Sequence, residues 1–493
     1  MGARDASDLR PDRSRRVAII GAGPGGICTG VRLLEAGYHD FVILEKAPGI
    51  GGTWFHNRYP GAECDIKSHL YSFSFALNPE WSRRYARQPE IKAYLEACVQ
   101  RFGLEPHLRL STEVHSARWD ETTSTWRLTV GDGEVVEADV VVSAIGMFGA
   151  AVAPDIPGLD RFRGTLFHSA RWHDDHDLSG ETVAVIGSAA SAVQLVPEIA
   201  PIVGQLYLYQ RSANWVLPKE DGHFTPEQLA HFRASPDALT AERDAVFGTV
   251  DKTITFSDPK LLAGAEEAGL RNLDVVEDPE VRRKLTPDVP WGCQRPLASN
   301  VYYPTFNRSN VELVVEPITE VTEDAVVTDD GRARRVDTII LATGFATTKF
   351  LGALNVVGRD GVHITEAWAD GPQAYLGITT TGFPNLFMLY GPNTNNGSII
   401  YMIECQVDYV MQVLQRMDDD DLASIDVKRE VMDDYNEALQ HALARVDVWQ
   451  AGCNGYYRVP SGRIVTQWPH SMTEYRARTE RPDFDVFDVV AAP

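Results

Sequence analysis

The sequence predicts an α/β protein with two doubly wound dinucleotide-binding (Rossmann-like) domains and a helical insertion in the second. Three observations carry this. An apolar strand, a glycine-rich turn and a helix follow one another twice, first from Val17 and again from Val183. Each copy later closes on a similar strand, "VVVSAIG" (140–146) and "TIILATG" (338–344). Between them, a stretch from about Pro218 to Gly292 has helical periodicity and few strand signals. The expected division is 1–149 with 377–493 for the first domain, 150–217 with 293–376 for the second, and 218–292 for the insertion.

In the first copy the strand Val17–Ile20 turns through "GAGPGG" (21–26) into a helix to about Ala36, and the strand Phe41–Leu44 ends at Glu45. Alternating segments around Trp126–Val130 meet an Asp132-Gly133 hairpin turn. In the second copy Val183–Ile186 enters "GSAASA" (187–192), then a helix, then Leu206–Tyr209, which ends at Gln210-Arg211. Another turn stands at Asp330-Gly331. Helices are expected from about Ser398 and over Val427–Arg445, with Asp418–Asp421 as a solvated loop and helix start. The tail contains no third nucleotide loop, so it is expected to return to the first domain.

The totals narrow the function classes. A net charge of −23 disfavours a nucleic-acid or anionic-membrane partner. No apolar run is long enough to span a membrane, and the polar, Arg-rich start reads as a frayed tail rather than a signal peptide. Cys28, Cys64, Cys98, Cys293, Cys405 and Cys453 have neither zinc nor redox-dithiol spacing, which suits unpaired thiols in a reducing cytoplasm.

Each phosphate loop selects its ligand. Gly21, Gly23 and Gly26 permit a tight turn and close backbone approach, and a helix N-terminus offers free N–H groups to a pyrophosphate. Glu45, nineteen residues after Gly26, suits a ribose hydroxyl, so this loop reads as FAD or NAD. Gly187, Ala189 and Ala192 form the looser second loop. Nineteen residues after Ala192 stands Arg211, whose guanidinium suits a 2′-phosphate and therefore NADPH. Together the loops describe hydride transfer from NADPH to a flavin. With no dithiol after the first loop, O2 is the default acceptor.

Two longer stretches carry a family resemblance. "FRGTLFHSARWHDD" resembles the FxGxxxHxxxW signature of class B flavin monooxygenases, through Phe162, Gly164, His168 and Trp172. "GGTWFHNRYPGAECD" (51–65) resembles the second signature of the Baeyer–Villiger branch. "RYARQPEI", "QRSA", "YYPTFNR" and "ATGF" follow in that family's order, so the resemblance spans about residues 15–400. It implies an FAD-dependent Baeyer–Villiger monooxygenase that uses NADPH and O2 to turn a ketone into an ester or lactone, through a C4a-peroxyflavin and a Criegee intermediate. It further implies Arg295, in "GCQRPLASNVYY", as the cation beside the peroxide, and Asp65 as the carboxylate that orients it.

Gly52, Thr53, Trp54, Tyr59, Asp65, Gln88, Ser212, Gln294 and Arg295 are the further cofactor-facing positions the resemblance implies, with Trp54 and Tyr59 walling the isoalloxazine. Gln294 stands where the family has lysine, which points to a weaker NADPH preference. His173 stands where the family has Pro or Asp, which keeps S- or N-oxygenation as an alternative reading. A non-catalytic flavoprotein redox sensor is the reading from another class. Phe162, Gly164, His168 and Trp172 are expected in a linker entering the second domain.

Overall fold

A computed structural model of the chain describes residues 14–453 and 455–492, so most of the expected frayed tail lies outside the described residues. Five short parallel strands form the first sheet, in the order Leu386–Met388, Val140–Ser143, Val17–Ile20, Phe41–Leu44, Leu108–Arg109. Val17–Ile20 and Val140–Ser143 are buried along their whole length, as β-branched runs must be when both faces of a parallel sheet are covered. A second parallel sheet of five has the order Val311–Val314, Gln205–Tyr209, Thr182–Ile186, Thr338–Leu341, Thr165–His168. Both the Asp132-Gly133 and Asp330-Gly331 turns connect antiparallel strands, Thr125–Val130 with Glu134–Ala138 and Ala325–Thr328 with Ala333–Arg335. The fold is thus the doubly wound α/β arrangement, used twice.

The stretch 218–292 contains four helices, Pro226–Ala234, Pro236–Thr253, Pro259–Leu273 and Pro279–Leu285. Each opens on proline behind Thr225, Ser235, Asp258 or Asp278, whose side chain accepts a first-turn N–H. The second helix docks through Arg243, whose guanidinium meets the buried Glu404 carboxylate at 3.3 Å. Glu404 also accepts from the Ser74 amide and hydroxyl at 2.8 and 2.7 Å. It holds the insertion against the helix Ile399–Asp419.

After Thr380 the chain runs back to the first sheet. Leu386–Met388 pairs with Val141–Ser143, and Ile399–Asp419 buries Ile403, Val407, Val410 and Leu414 in the core shared with the helix Pro24–Ala36. Two boundaries differ from the sequence reading. Asp418 and Asp419 end a helix rather than beginning one, because Arg15 donates to Asp418 at 2.8 Å and so offsets an acid at the negative end of the helix dipole. Val427 ends a strand, Leu422–Val427, paired with Phe487–Ala491, and the following helix is Arg429–Ala444.

Candidate active site

The two glycine-rich turns face one cavity of about 1330 Å³. At the first, a Cβ on Gly26 would lie 2.0 Å from the Gly21 carbonyl oxygen, so only glycine lets the helix sit so close to the strand end. At the second, Gly187 has φ +110°, and a Cβ there would lie 2.4 Å from the Ala342 carbonyl oxygen. The helices that follow, Pro24–Ala36 and Ala190–Ile199, have no side-chain N-cap bond and no acid in the first turn. Their free N–H groups and positive dipole ends therefore remain available to a phosphate. The donor set fits two dinucleotides.

Gly23, Gly52, Thr53, Trp54, Tyr59 and Asp65 line the cavity, and so do Gly187, Ala189, Arg211, Ser212, Gln294 and Arg295. Gly21, Gly26, Glu45, Gln88 and Ala192 are not among its lining residues. Glu45 is buried at the end of its strand and accepts from the Ala22 and Ala47 amides, both at 2.8 Å, so it ties the first loop together. The Gln88 side chain donates to the Trp54 carbonyl, and the Gln88 amide donates to the Ala62 carbonyl at 2.8 Å. It thereby holds the 51–65 segment from behind. Trp54 donates through its indole N–H to the Tyr71 hydroxyl at 3.0 Å. Tyr59 instead reaches across, its hydroxyl donating to Gln194 at 2.9 Å on the helix Ala190–Ile199.

Arg295 and Asp65 meet in the cavity wall. Nε of Arg295 donates to Asp65 Oδ2 at 3.1 Å, Nη2 donates to the same oxygen, and Nη1 donates to the Tyr456 hydroxyl at 3.4 Å. About a third of each side chain is exposed, 34% for Arg295 and 36% for Asp65, and that surface faces the cavity. The charge of Asp65 raises the Arg295 pKa well above its ordinary value, against the opposing effect of burial. Burial would push Asp65 up, but the charge and hydrogen bonds of Arg295, with a contribution from Lys219, hold it below the usual carboxylate value. The pair is a fixed cation and a fixed anion. Lys219 is itself buried, 2.6 Å from Glu63 and 4.2 Å above the Tyr85 ring centroid.

The 162–174 signature does not line the cavity and is not a simple linker. Thr165–His168 is the edge strand of the second sheet, because Thr165–His168 pairs in register with Thr338–Leu341. Gly164 lies where a Cβ would be 2.2 Å from the Asp337 carbonyl oxygen, and Phe162 packs on the apolar cluster beneath that sheet. Nδ1 of His168 accepts from the Ala170 amide at 3.0 Å, and burial lowers the His168 pKa. Trp172 sets its edge against Phe167 with ring centroids 5.1 Å apart, and the exposed His173 stacks on the same ring at 4.7 Å. The next residue joins the two signatures, since Asp174 lies 3.0 Å from the Arg58 guanidinium.

Three features escaped the sequence reading. Tyr456 touches Arg295 from the tail; the sequence pointed only to a broad tail region. Lys219 adds a buried positive charge near Asp65, with no motif to announce it. Cys293 and Cys453 form a disulfide with their Cα atoms 6.1 Å apart, which corrects the expectation of six unpaired thiols. They are 160 positions apart, so no local spacing could reveal the pairing. Cys28, Cys64, Cys98 and Cys405 are free, as expected, and all four are buried.

Two nucleotide clefts opening on one cavity, with a fixed guanidinium between them, define a two-nucleotide flavoprotein oxidoreductase. Comparison with known proteins narrows this. The pyridine nucleotide-disulphide oxidoreductase family profile matches residues 18–234. A Baeyer-Villiger monooxygenase of Pseudomonas aeruginosa is 43% identical over 489 residues, covering 98% of this chain and 92% of the relative. One from Streptomyces coelicolor is 42% identical, covering 96% and 92%. Cyclohexanone monooxygenase from Rhodococcus sp. Phi1, solved bound to NADP+, superposes with TM-score 0.88 at 31% identity over 98% of this chain and 100% of that one. Oxidized steroid monooxygenase bound to NADP superposes with TM-score 0.86 at 32% identity, covering 97% and 99%. The chain belongs to the Baeyer–Villiger monooxygenase family. It is a flavin monooxygenase whose cofactors are FAD and NADPH. No helix among the described residues is long and apolar enough to cross a membrane.

Proposed function

We propose that the chain inserts one oxygen atom from O2 beside a ketone carbonyl, giving an ester or lactone, with Arg295 as the catalytic cation and Asp65 as the residue that positions it. The observation that carries the reading is the Arg295–Asp65 pair in the wall shared by both nucleotide clefts. Bound FAD, reduced by NADPH, would supply the activated oxygen. Gly23, Gly52, Thr53 and Trp54 would hold FAD, with Glu45 using its second lone pairs for the ribose. Gly187, Ala189, Arg211, Ser212 and Gln294 would hold NADPH. Residues 1–149 with 377–493 are assigned to the FAD domain, and 150–217 with 293–376 to the NADPH domain. Within the 162–174 signature Thr165–His168 belongs to the second sheet, and the end that follows Trp172, where Asp174 meets Arg58, would act as the hinge. We place the enzyme in the cytoplasm.

The chemistry follows from what arginine can and cannot do. Oxygen insertion next to a carbonyl needs a nucleophilic, anionic oxygen, and protonation would turn it into an electrophile. Arg295 supplies positive charge and directed N–H donors without releasing a proton at working pH. Asp65 keeps the guanidinium charged and fixes its plane. Tyr390, Phe345 and Ile399 add apolar or aromatic surface that excludes water from the same cavity. His173 is outside the cavity lining, so it gives no support to S- or N-oxygenation.

The test is a panel of cyclic, aromatic and long-chain ketones, with a thioether in parallel. NADPH loss matched by ester or lactone 16 mass units heavier supports the reading. Sulfoxide formation with no ester from any ketone would reject it.

A further inference from the structure

Four contacts join the arginine loop to the tail that lies over it. Cys293, buried two residues before Arg295, is bonded to Cys453, which is half-buried and lines the cavity. Trp449 donates to the Gly292 carbonyl at 3.1 Å, and Arg295 donates to the Tyr456 hydroxyl at 3.4 Å. The Phe256 ring sits against both Trp291 and Trp449, at 5.3 and 5.7 Å between centroids. Cys453 is set among exposed Ala451, Gly452 and Gly455, which contribute little packing of their own. The covalent link is therefore the main restraint on residues 451–453, while Thr347 at 3.4 Å and Val465 at 2.9 Å hold the Tyr456 and Tyr457 carbonyls from the other end.

We propose that Cys293 and Cys453 are a redox modification site whose oxidation clamps the Tyr456 segment onto Arg295 and whose reduction releases it. The oxidant is a peroxide, for which hydrogen peroxide, the two-electron reduction product of O2, is the chemical class. The Cys453 thiolate attacks one peroxide oxygen, the O–O bond breaks, and water leaves with the second oxygen. The resulting sulfenic acid is attacked by the Cys293 sulfur, whose proton leaves with the sulfenic hydroxyl as a second water while the S–S bond forms. Two thiols and one peroxide thus become one disulfide and two waters, each sulfur giving up one electron.

Selectivity has a physical basis. The other four thiols are buried, and burial raises each of them, Cys98 to about 11 and Cys405 to about 12, so little thiolate is available there. Of the six cysteines only Cys64 and Cys453 line the cavity where O2 is consumed, and burial pushes the Cys64 thiol up. In a reducing compartment such a pair cycles, as cytosolic disulfides that report on redox state do.

The consequence for oxygenation rests on the reading of Arg295 above; the cross-link and its clamping effect do not. The full-length enzyme, loaded with FAD and saturated with NADP+, is reduced with dithiothreitol and then treated with hydrogen peroxide. Alkylation and peptide mass analysis should show one cross-linked peptide pair, containing Cys293 and Cys453. Hydrogen exchange over residues 447–458 should be at least about threefold faster in the reduced protein and return on reoxidation. Cys453→Ser should exchange like the reduced protein and ignore both reagents. Separate alkylation of the two cysteines after peroxide, or equal exchange in both states, overturns the proposal. Ester formed per NADPH should fall about twofold or more on reduction, by loss of transition-state positioning. An unchanged ratio overturns the link to oxygenation, and no ester in either state counts against the ketone reading alone.

Discussion

Nε of Arg295 lies 3.1 Å from Oδ2 of Asp65, although 230 positions separate them in the chain. The two side chains come from stretches far apart in the chain, 51–65 and 292–303, so the bond exists only when both are folded against the same cavity. Replacing Arg295 by alanine should therefore leave NADPH-driven flavin reduction intact while ester formation falls by at least about 100-fold. Stopped-flow absorbance of the flavin and chromatography of the product measure the two steps apart. Arg295→Lys should recover only a small part of the loss, because a point charge cannot reach Asp65 and Tyr456 together. Full activity in either variant would remove Arg295 from the reaction.

Asp65→Asn keeps the shape and one acceptor but drops the charge that fixes the guanidinium. Product formation should fall about 10-fold or more with a smaller change in the KM for NADPH. The split matters, because a purely structural defect would raise both together.

Tyr456→Phe removes only the 3.4 Å bond from Arg295. Ester formed per NADPH should decline by a factor of about 2–5, in keeping with loss of one hydrogen bond to a charged group whose other partner remains. Parallel measurement of NADPH oxidation and product reads this directly.

Coenzyme choice should follow Arg211, which is exposed at the cavity rim. Arg211→Ala should lower kcat/KM for NADPH by about 10–100-fold and leave NADH almost unchanged, since only NADPH carries the 2′-phosphate. Gln294→Lys should shift the ratio the other way. Steady-state kinetics with both coenzymes checks both variants.

Stability should depend on pH through Asp426. This buried carboxylate accepts from the Gly382 amide at 3.0 Å and from Arg359 at 3.2 Å, yet burial outweighs them and pushes it up to about 6. The folded value lies above the unfolded one. Its contribution is therefore complete below about 4 and is lost as pH rises through about 6. Asp426→Asn should flatten that part of the curve by about 1–2 kcal/mol, after allowance for the partly exposed Arg359. Urea midpoints of both proteins from pH 4 to 7 measure the difference.

The fold was legible where its information is local. A buried strand, a glycine turn and a helix N-terminus lie within twenty residues of one another, and Gly26 and Gly187 are forced by backbone approach at those turns. The Asp132-Gly133 and Asp330-Gly331 hairpins were readable for the same reason. Arg295 and Asp65 were legible only through their signatures, since neither residue alone differs from a surface ion pair. Tyr456, Lys219 and the Cys293–Cys453 bond were invisible because each depends on the return path of the chain. The sheet pairing of Thr165–His168 was hidden too, as a four-residue edge strand looks like a connector until its partner is known.

The contact between Arg58 and Asp174 places the middle of one signature on the end of the other. Any chimaera assembled from two relatives with a crossover between these positions would inherit the halves from different parents. Such hybrids would lose a matched pair at the seam, so a recombination library should keep 51–174 as one block.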